Sequence, residues 1–127
     1  MFDTSVVIAS ESGRKLSRDV DDYDVALSVI SFAELTAGVL AATSSRVRSV
    51  RLATLDRLSD VEVLPVDVAV ATVWATLRVH VAEVGGRVNV NDLWIAATAV
   101  ARELPLLTQD ADFDALEGVR GLQVIRV

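Results

Sequence analysis

Asn89-Val90-Asn91-Asp92-Leu93-Trp94-Ile95-Ala96-Ala97-Thr98-Ala99-Val100 is the stretch whose reading decides the fold. Asn91 can cap a helix, since its side-chain oxygen can accept a free backbone N–H of the first turn. Beyond it the chain is apolar on nearly every helical face up to Val100, the pattern of a helix buried on several sides. Asp92 is the one carboxylate at the mouth of that helix, where the macrodipole favours negative charge. A lone acid there is ordinary, so the question is whether other segments bring carboxylates to the same place.

Working outward, short apolar runs alternate with helical patterns. Met1-Phe2-Asp3-Thr4-Ser5 reads as the end of a strand turning into a helix, with Asp3 at the strand's carboxyl end. Asp3, Thr4 or Ser5 can equally be a plain helix cap. Gly13 to Val20 reads as a short amphipathic helix, and Asp19, Asp21, Asp22 and Asp24 as a solvated acidic turn. Val25 to Ile30 has the near-continuous apolar character of a buried parallel strand. Ser31-Phe32-Ala33-Glu34 then fits a capping box, in which Glu34 folds back onto its own helix start. Without the box, the same position aims Glu34 over the carboxyl edge of a sheet. Gly38 in a helix interior costs about 1 kcal/mol and points to close packing.

Thr43 to Leu58 reads as a helix carrying Arg46, Arg48, Arg51 and Arg57, either a wet face or a row along a nucleic-acid backbone. Val61 to Val66 is a short strand, and Asp67 caps a long helix with an apolar stripe at Ala71, Trp74, Leu77, Val81 and Val84. That stripe makes Trp74 a core or interface residue rather than a base-stacking platform. His80, the only histidine, falls on the polar side of this helix. Gly85-Gly86 ends the helix. Leu104 to Thr108 and Leu122 to Val127 are further strands, and Gln109-Asp110-Ala111-Asp112-Phe113-Asp114 between them suits an Asx turn.

Composition narrows the chemistry. The 127 residues suit one domain, 52% are hydrophobic, and the net charge is −6. No apolar run reaches the roughly 20 residues of a membrane span and no signal sequence opens the chain, so a cytoplasmic protein without a membrane partner is expected. The charge argues against binding nucleic acid by electrostatics alone, though not against a metal-bridged nuclease. With no cysteine, any metal must be held mainly by oxygen, which favours Mg²⁺ or Mn²⁺.

Alternating strands and helices imply a mostly parallel central sheet flanked by helices, whose strand ends and helix starts share one edge. Asp3, Glu34, Asp92, Asp110 and Asp112 all occupy such positions. Each has a structural explanation alone, but their coincidence points to one cluster. Two carboxylates at about 4 Å repel by about 4 kcal/mol at an effective dielectric near 20. A divalent cation removes that repulsion and supplies a Lewis acid for phosphoryl hydrolysis.

Asp-Thr-Ser near the start, Phe-Ala-Glu-Leu after the second strand, Asn-Asp-Leu-Trp-Ile-Ala-Ala-Thr-Ala in the middle and Thr-Gln-Asp-Ala-Asp-Phe near the end resemble the PIN-domain ribonucleases. Length and motif order are similar to the VapC-type toxins of toxin–antitoxin pairs. The resemblance implies a three-layer α/β/α fold as a single unit over residues 1–127 and an Mg²⁺- or Mn²⁺-dependent endoribonuclease. By position, Asp3, Glu34, Asp92 and Asp110 match the acidic quartet, Asp112 is a further metal-ligand candidate, and Ser5 and Thr108 match the supporting polar residues. It also implies an RNA substrate, a homodimer and a cognate VapB-like antitoxin. The family usually carries more apolar residues before its first Asp; only Met1 and Phe2 precede Asp3, so the first strand is expected to be short and the sheet's centre weakly braced, or the start to lie upstream. Two rivals come from other classes: a phosphoacceptor receiver-like domain, which expects a lysine near the last strands where this chain has Leu106-Leu107-Thr108-Gln109, and a nonenzymatic binding module.

Overall fold

The computed structural model describes residues 1–17 and 24–127. Among the described residues, five α-helices, α1 (Thr4–Glu11), α2 (Val29–Leu40), α3 (Ser45–Arg57), α4 (Val68–Glu83) and α5 (Val90–Ala101), accompany four strands. The strands are β1 (Ala26–Ser28), β2 (Glu62–Leu64), β3 (Leu106–Thr108) and β4 (Val124–Arg126). β1 pairs in parallel with β2, and β3 with β4. Phe2 joins the two pairs by parallel bridges to Leu27 and Leu107. The order is therefore β2, β1, the 1–3 segment, β3, β4, and the brief opening of the chain is the middle of the sheet. Backbone bonds from Phe2 to Ala26, Asp3 to Leu107 and Leu107 to Met1 hold it, and the terminal ammonium donates to the Pro105 carbonyl at 2.7 Å. The short first strand is as expected, and these bonds brace it on both sides.

Alternation of side chains along each strand builds the layers. Met1, Ala26, Leu64 and Leu106 join a core with Val70, Leu77 and Val81 of α4 and Leu93, Ile95 and Ala96 of α5. Their neighbours Phe2, Leu27 and Leu107 turn to the other face, against Val6 and Val7 of α1 and Leu35 of α2. This is the three-layer α/β/α arrangement. α5 is its buried centrepiece: Leu93, Ile95, Ala96, Ala97, Thr98 and Ala99 are all at most 1% exposed. Full burial of one Leu or Ile contributes roughly 1.5–3 kcal/mol, enough for the helix carrying Asp92 to tolerate some charge repulsion at its tip.

The structure corrects several expectations. The helix expected over 13–20 is absent from its described part, since residues 12–17 are turn and irregular chain. The remainder, with Asp19, Asp21 and Asp22 of the acidic turn, lies outside the described residues. The strands are shorter than their apolar runs because only three residues of each find parallel partners. Of the expected stripe of α4, Trp74, Leu77 and Val81 turn inward, whereas Ala71 and Val84 at its two ends face solvent and Val70 is buried in place of Ala71. Trp74 lies inward and stacks on Trp94, with centroids 4.7 Å apart and planes 15° from parallel. His80, expected at the surface, is half-buried in the last turn of α4.

The arginine row of α3 is neither a plain wet face nor a free phosphate track. Arg51 Nη1 donates to the Gly38 carbonyl and Arg48 Nη2 to the Ala42 carbonyl, which satisfies groups left over at the end of α2. A Cβ on Gly38 would lie 3.7 Å from Arg51 Nη1, an ordinary contact, so the packing there is not tight enough to require glycine.

α1, α4 and α5 end alike: the second residue past the cap donates back into the helix, as Arg14 to Ala9, Gly86 to Val81 and Leu104 to Ala99. The residue between must be left-handed, and it is Gly13 and Gly85 in the first two but Glu103, with φ 55°, in the third. A side chain in that region costs roughly 1–2 kcal/mol. Glu103→Gly is therefore expected to stabilise the protein by about 1 kcal/mol, after allowing for glycine's greater freedom when unfolded. An unchanged or lower denaturant midpoint would contradict this reading of the helix end.

Candidate metal centre

In the strand order above, successive connections leave the 1–3 segment for β1 on one side and later return to β3 on the other. The reversal falls between the central segment and β3, and ligands of open α/β sheets bind outside the carboxyl ends at such a point. Asp3 and Asp110 lie just past those two ends.

Asp3 is 3% exposed and caps α1. Its Oδ2 accepts from Ser5 Oγ at 2.6 Å, Thr108 Oγ1 at 2.9 Å and the Ser5 N–H at 3.2 Å. The two hydroxyls accept in turn from the backbone N–H groups of Gln109 and Asp110. Both hydroxyl hydrogens are thus committed to Asp3, and the hydroxyls act as struts between that carboxylate and the turn after β3. Oδ1 of Asp3 makes no hydrogen bond among the described residues.

Asp110 caps the 3-10 turn Ala111–Leu116, and its Oδ1 accepts from the Asp112 N–H at 2.9 Å. The Asx turn expected there does form, and it also gathers acids. Asp92, Asp110 and Asp112 can each present a carboxylate oxygen such that all three lie within 4.8 Å of one another. Asp92 arrives by a route different from the other acids: α5 follows α4 rather than a strand, and its first turn projects onto the rim. The Asp92 pKa is pushed up from 3.8 to about 7, first by burial and then by the charges of Asp3, Asp110, Glu34 and Asp112. Asp3 and Glu34 are therefore felt at Asp92 although they lie outside the tight trio.

Two sequence expectations fail here in a linked way. Asn91 does not cap α5. Asn89 does, its side-chain oxygen accepting the Asn91 N–H at 2.8 Å. The Ser31–Glu34 box does not form either, because α2 starts earlier and Ser28 caps it through the Ser31 N–H. Glu34 and Asn91, each released from a cap, meet instead: Asn91 Nδ2 donates to Glu34 Oε1 at 2.8 Å, and Thr4 Oγ1 donates to Oε2 at 2.5 Å. In the sequence Thr4 and Asn91 read as cap candidates and as neighbours of the motif acids, with no role of their own. The available hint was the pair Asn89 and Asn91, of which one alone can cap.

The donor set is oxygen only, convergent and anionic, which suits a hard divalent cation and no thiolate- or imidazole-seeking metal. A parallel sheet with this rim defines a class, and the chain belongs to the PIN domain family, which matches residues 1–119. Within it, the chain is similar to Ribonuclease VapC5 of Mycobacterium tuberculosis (strain ATCC 25618 / H37Rv), 53% identical over 127 residues that cover 100% of this chain and 94% of that one. Ribonuclease VapC4 of the same strain is 38% identical over 98% of this chain and 95% of its own. Among solved structures, VapBC-5 of Mycobacterium tuberculosis, a member of the VapBC family of toxin-antitoxin systems, superposes with a TM-score of 0.86 at 48% identity, covering 99% of this chain and 96% of that one. FitAcB of Neisseria gonorrhoeae gives 0.77 at 29% identity, covering 98% and 95%.

Proposed function

We propose that this chain is an Mg²⁺- or Mn²⁺-dependent endoribonuclease acting in the cytoplasm as the toxin of a toxin–antitoxin pair, with residues 1–127 working as one unit. The observation that carries the reading is the convergence of Asp92, Asp110 and Asp112 beside Asp3, with the Asp92 carboxyl lifted to about 7 by burial and by its acidic neighbours. Such a site is poised to exchange a proton for a cation. Similarity to Ribonuclease VapC5 supports RNA as the substrate.

Asp3, Asp92, Asp110 and Asp112 would hold the cation. When bound, it supplies Lewis acidity to the scissile phosphate and lowers the pKa of a coordinated water. Ser5 and Thr108 keep the Asp3 carboxylate fixed. Glu34, held at the rim, accepts a hydrogen bond from the attacking water and turns its lone pair toward phosphorus. In-line attack forms the new P–O bond as the P–O3′ bond breaks; the water's proton passes to solvent, the 3′-oxygen takes one from solvent and leaves as the 3′-hydroxyl, a 5′-phosphate remains, and the 2′-hydroxyl is not the nucleophile.

The partners follow from the same reading. A VapB-like antitoxin is supported by the VapBC-5 complex among the structural relatives. A homodimer is supported by apolar surface on α4 and its C-terminal cap, where Val68, Val79 and the cap residue Val84 are 83%, 56% and 59% exposed. The decisive experiment incubates purified protein with RNA in EDTA, Mg²⁺ or Mn²⁺. Cleavage is expected only with metal and with 5′-phosphorylated products; 2′,3′-cyclic phosphate ends, or equal cleavage in EDTA, would refute the mechanism.

A further inference from the structure

We infer that Asn91 and Thr4 are the positioning residues for Glu34, a clamp of two neutral donors that holds its carboxylate at the rim of the acidic cluster. The assignment rests on the metal-dependent reading above and gives a role to two residues of the motifs other than the acids themselves.

Glu34 sits in α2, Thr4 in α1 and Asn91 in α5, so three helices distant in the chain converge on one carboxylate. Each oxygen receives one bond, Oε2 from Thr4 Oγ1 and Oε1 from Asn91 Nδ2. One bond would leave the carboxylate free to rotate about it, whereas one on each oxygen restrains its plane. Each oxygen retains a second acceptor site for water. The amide orientation follows from chemistry, because only the NH₂ end can face a carboxylate.

The clamp also has a charge logic. Asp92 follows Asn91 directly in the chain, and an unrestrained Glu34 would swing away from the surrounding carboxylates. A lysine or arginine would also hold Glu34, but its charge would occupy the site electrostatically and oppose the cation. Neutral donors fix the geometry and leave the negative potential intact. Capping does not account for Asn91, since Asn89 already performs that role for α5. Nor is Asn91 retained for burial, since it is exposed.

The test is a double-substitution cycle read in two ways, by Mn²⁺ affinity of the metal-free protein without RNA (electron paramagnetic resonance) and by RNA turnover with metal. Loss of groups that orient site residues typically costs about 10–100-fold in metal affinity or activity. Asn91→Ala is expected to fall in that range in turnover, mainly in kcat, with Mn²⁺ affinity weakened in the same direction. In a Glu34→Ala background the same change should have no further effect on either readout. Thr4→Val, nearly isosteric and therefore safe for folding, should reproduce the Asn91→Ala pattern. Asn91→Lys should retain the fold and lose Mn²⁺ binding. If wild type binds Mn²⁺ and cleaves RNA while Asn91→Ala matches it in both, or if the two losses multiply in the double variant, the clamp is overturned and the functional reading stands. A wild type that neither binds Mn²⁺ nor cleaves overturns the functional reading, and the clamp with it.

Discussion

Asp92→Asn is expected to lower metal-dependent RNA cleavage by about 10²–10³-fold while the protein remains folded. Asp92 belongs to the tight trio, and it is the acid most affected by the others, so its charge is the one a cation most directly compensates. Removing it weakens a Lewis-acid contribution worth several kcal/mol, and each 1.36 kcal/mol is about tenfold in rate. The change is nearly isosteric and α5 keeps its Asn89 cap, so circular dichroism should be unaltered. Cleavage by Asp92→Asn within a factor of three of wild type, at saturating Mn²⁺, would remove Asp92 from the site.

The second large effect is on stability and has the opposite sign. In chelator at pH 8, Asp92→Asn should make the protein more stable. The folded-state pKa of about 7 lies above the unfolded value of 3.8, so between those values the native state binds the extra proton and stability declines as pH rises. The penalty is absent below pH 3.8 and complete above about pH 7. A shift of this size corresponds to about 4 kcal/mol at most; because Asp92 is half-buried, solvent screening reduces it to about 1–2 kcal/mol. The melting temperature of Asp92→Asn should exceed wild type by several degrees at pH 8 and converge with it near pH 4. Saturating Mn²⁺ should reverse the order, because ligand binding stabilises only the form that retains the site. A variant that melts below wild type at pH 8 in EDTA would mean that the carboxylates do not repel one another there.

The two predictions describe one trade. Burying Leu93, Ile95 and Ala96 secures α5, and part of that stability is set against the repulsion at its first turn. Asp67, at the start of α4, shows the ordinary alternative. Its carboxyl is held below the usual range by the Val70 N–H and by Arg102, with which it forms a 2.8 Å ion pair. Among the described residues, no comparable cation pairs with Asp92.

How much of this was legible in the sequence depended on the range of the interactions involved. The alternation of apolar runs and helical patterns is local, and it was enough for the parallel α/β class and for the strand-end positions of Asp3 and Asp110. The four motifs carry the family resemblance without reference to long-range contacts. Phase and capping were less secure, because they turn on single residues. Asn89 and Asn91 are chemically equivalent caps two positions apart. Ser28 and Ser31 pose the same ambiguity for α2, and in both cases the earlier residue won. Likewise α4, rich in Val and Ala on every face, offers more than one stripe, and only the position of the sheet selects Val70 over Ala71.

By itself, the sequence determined which chemistry was available: oxygen ligands without thiolates, one histidine, and acids at successive element boundaries. Tertiary structure alone decided which donors meet. Thr4, Glu34 and Asn91 are separated by 30 and 57 residues, and nothing local favours their contact over the caps each could have made. Their meeting follows from packing helices on both faces of a sheet whose middle is Met1 to Asp3. Helix propensity and capping act within a few residues, whereas the position of a side chain across a sheet edge is set by the sum of core contacts throughout the domain.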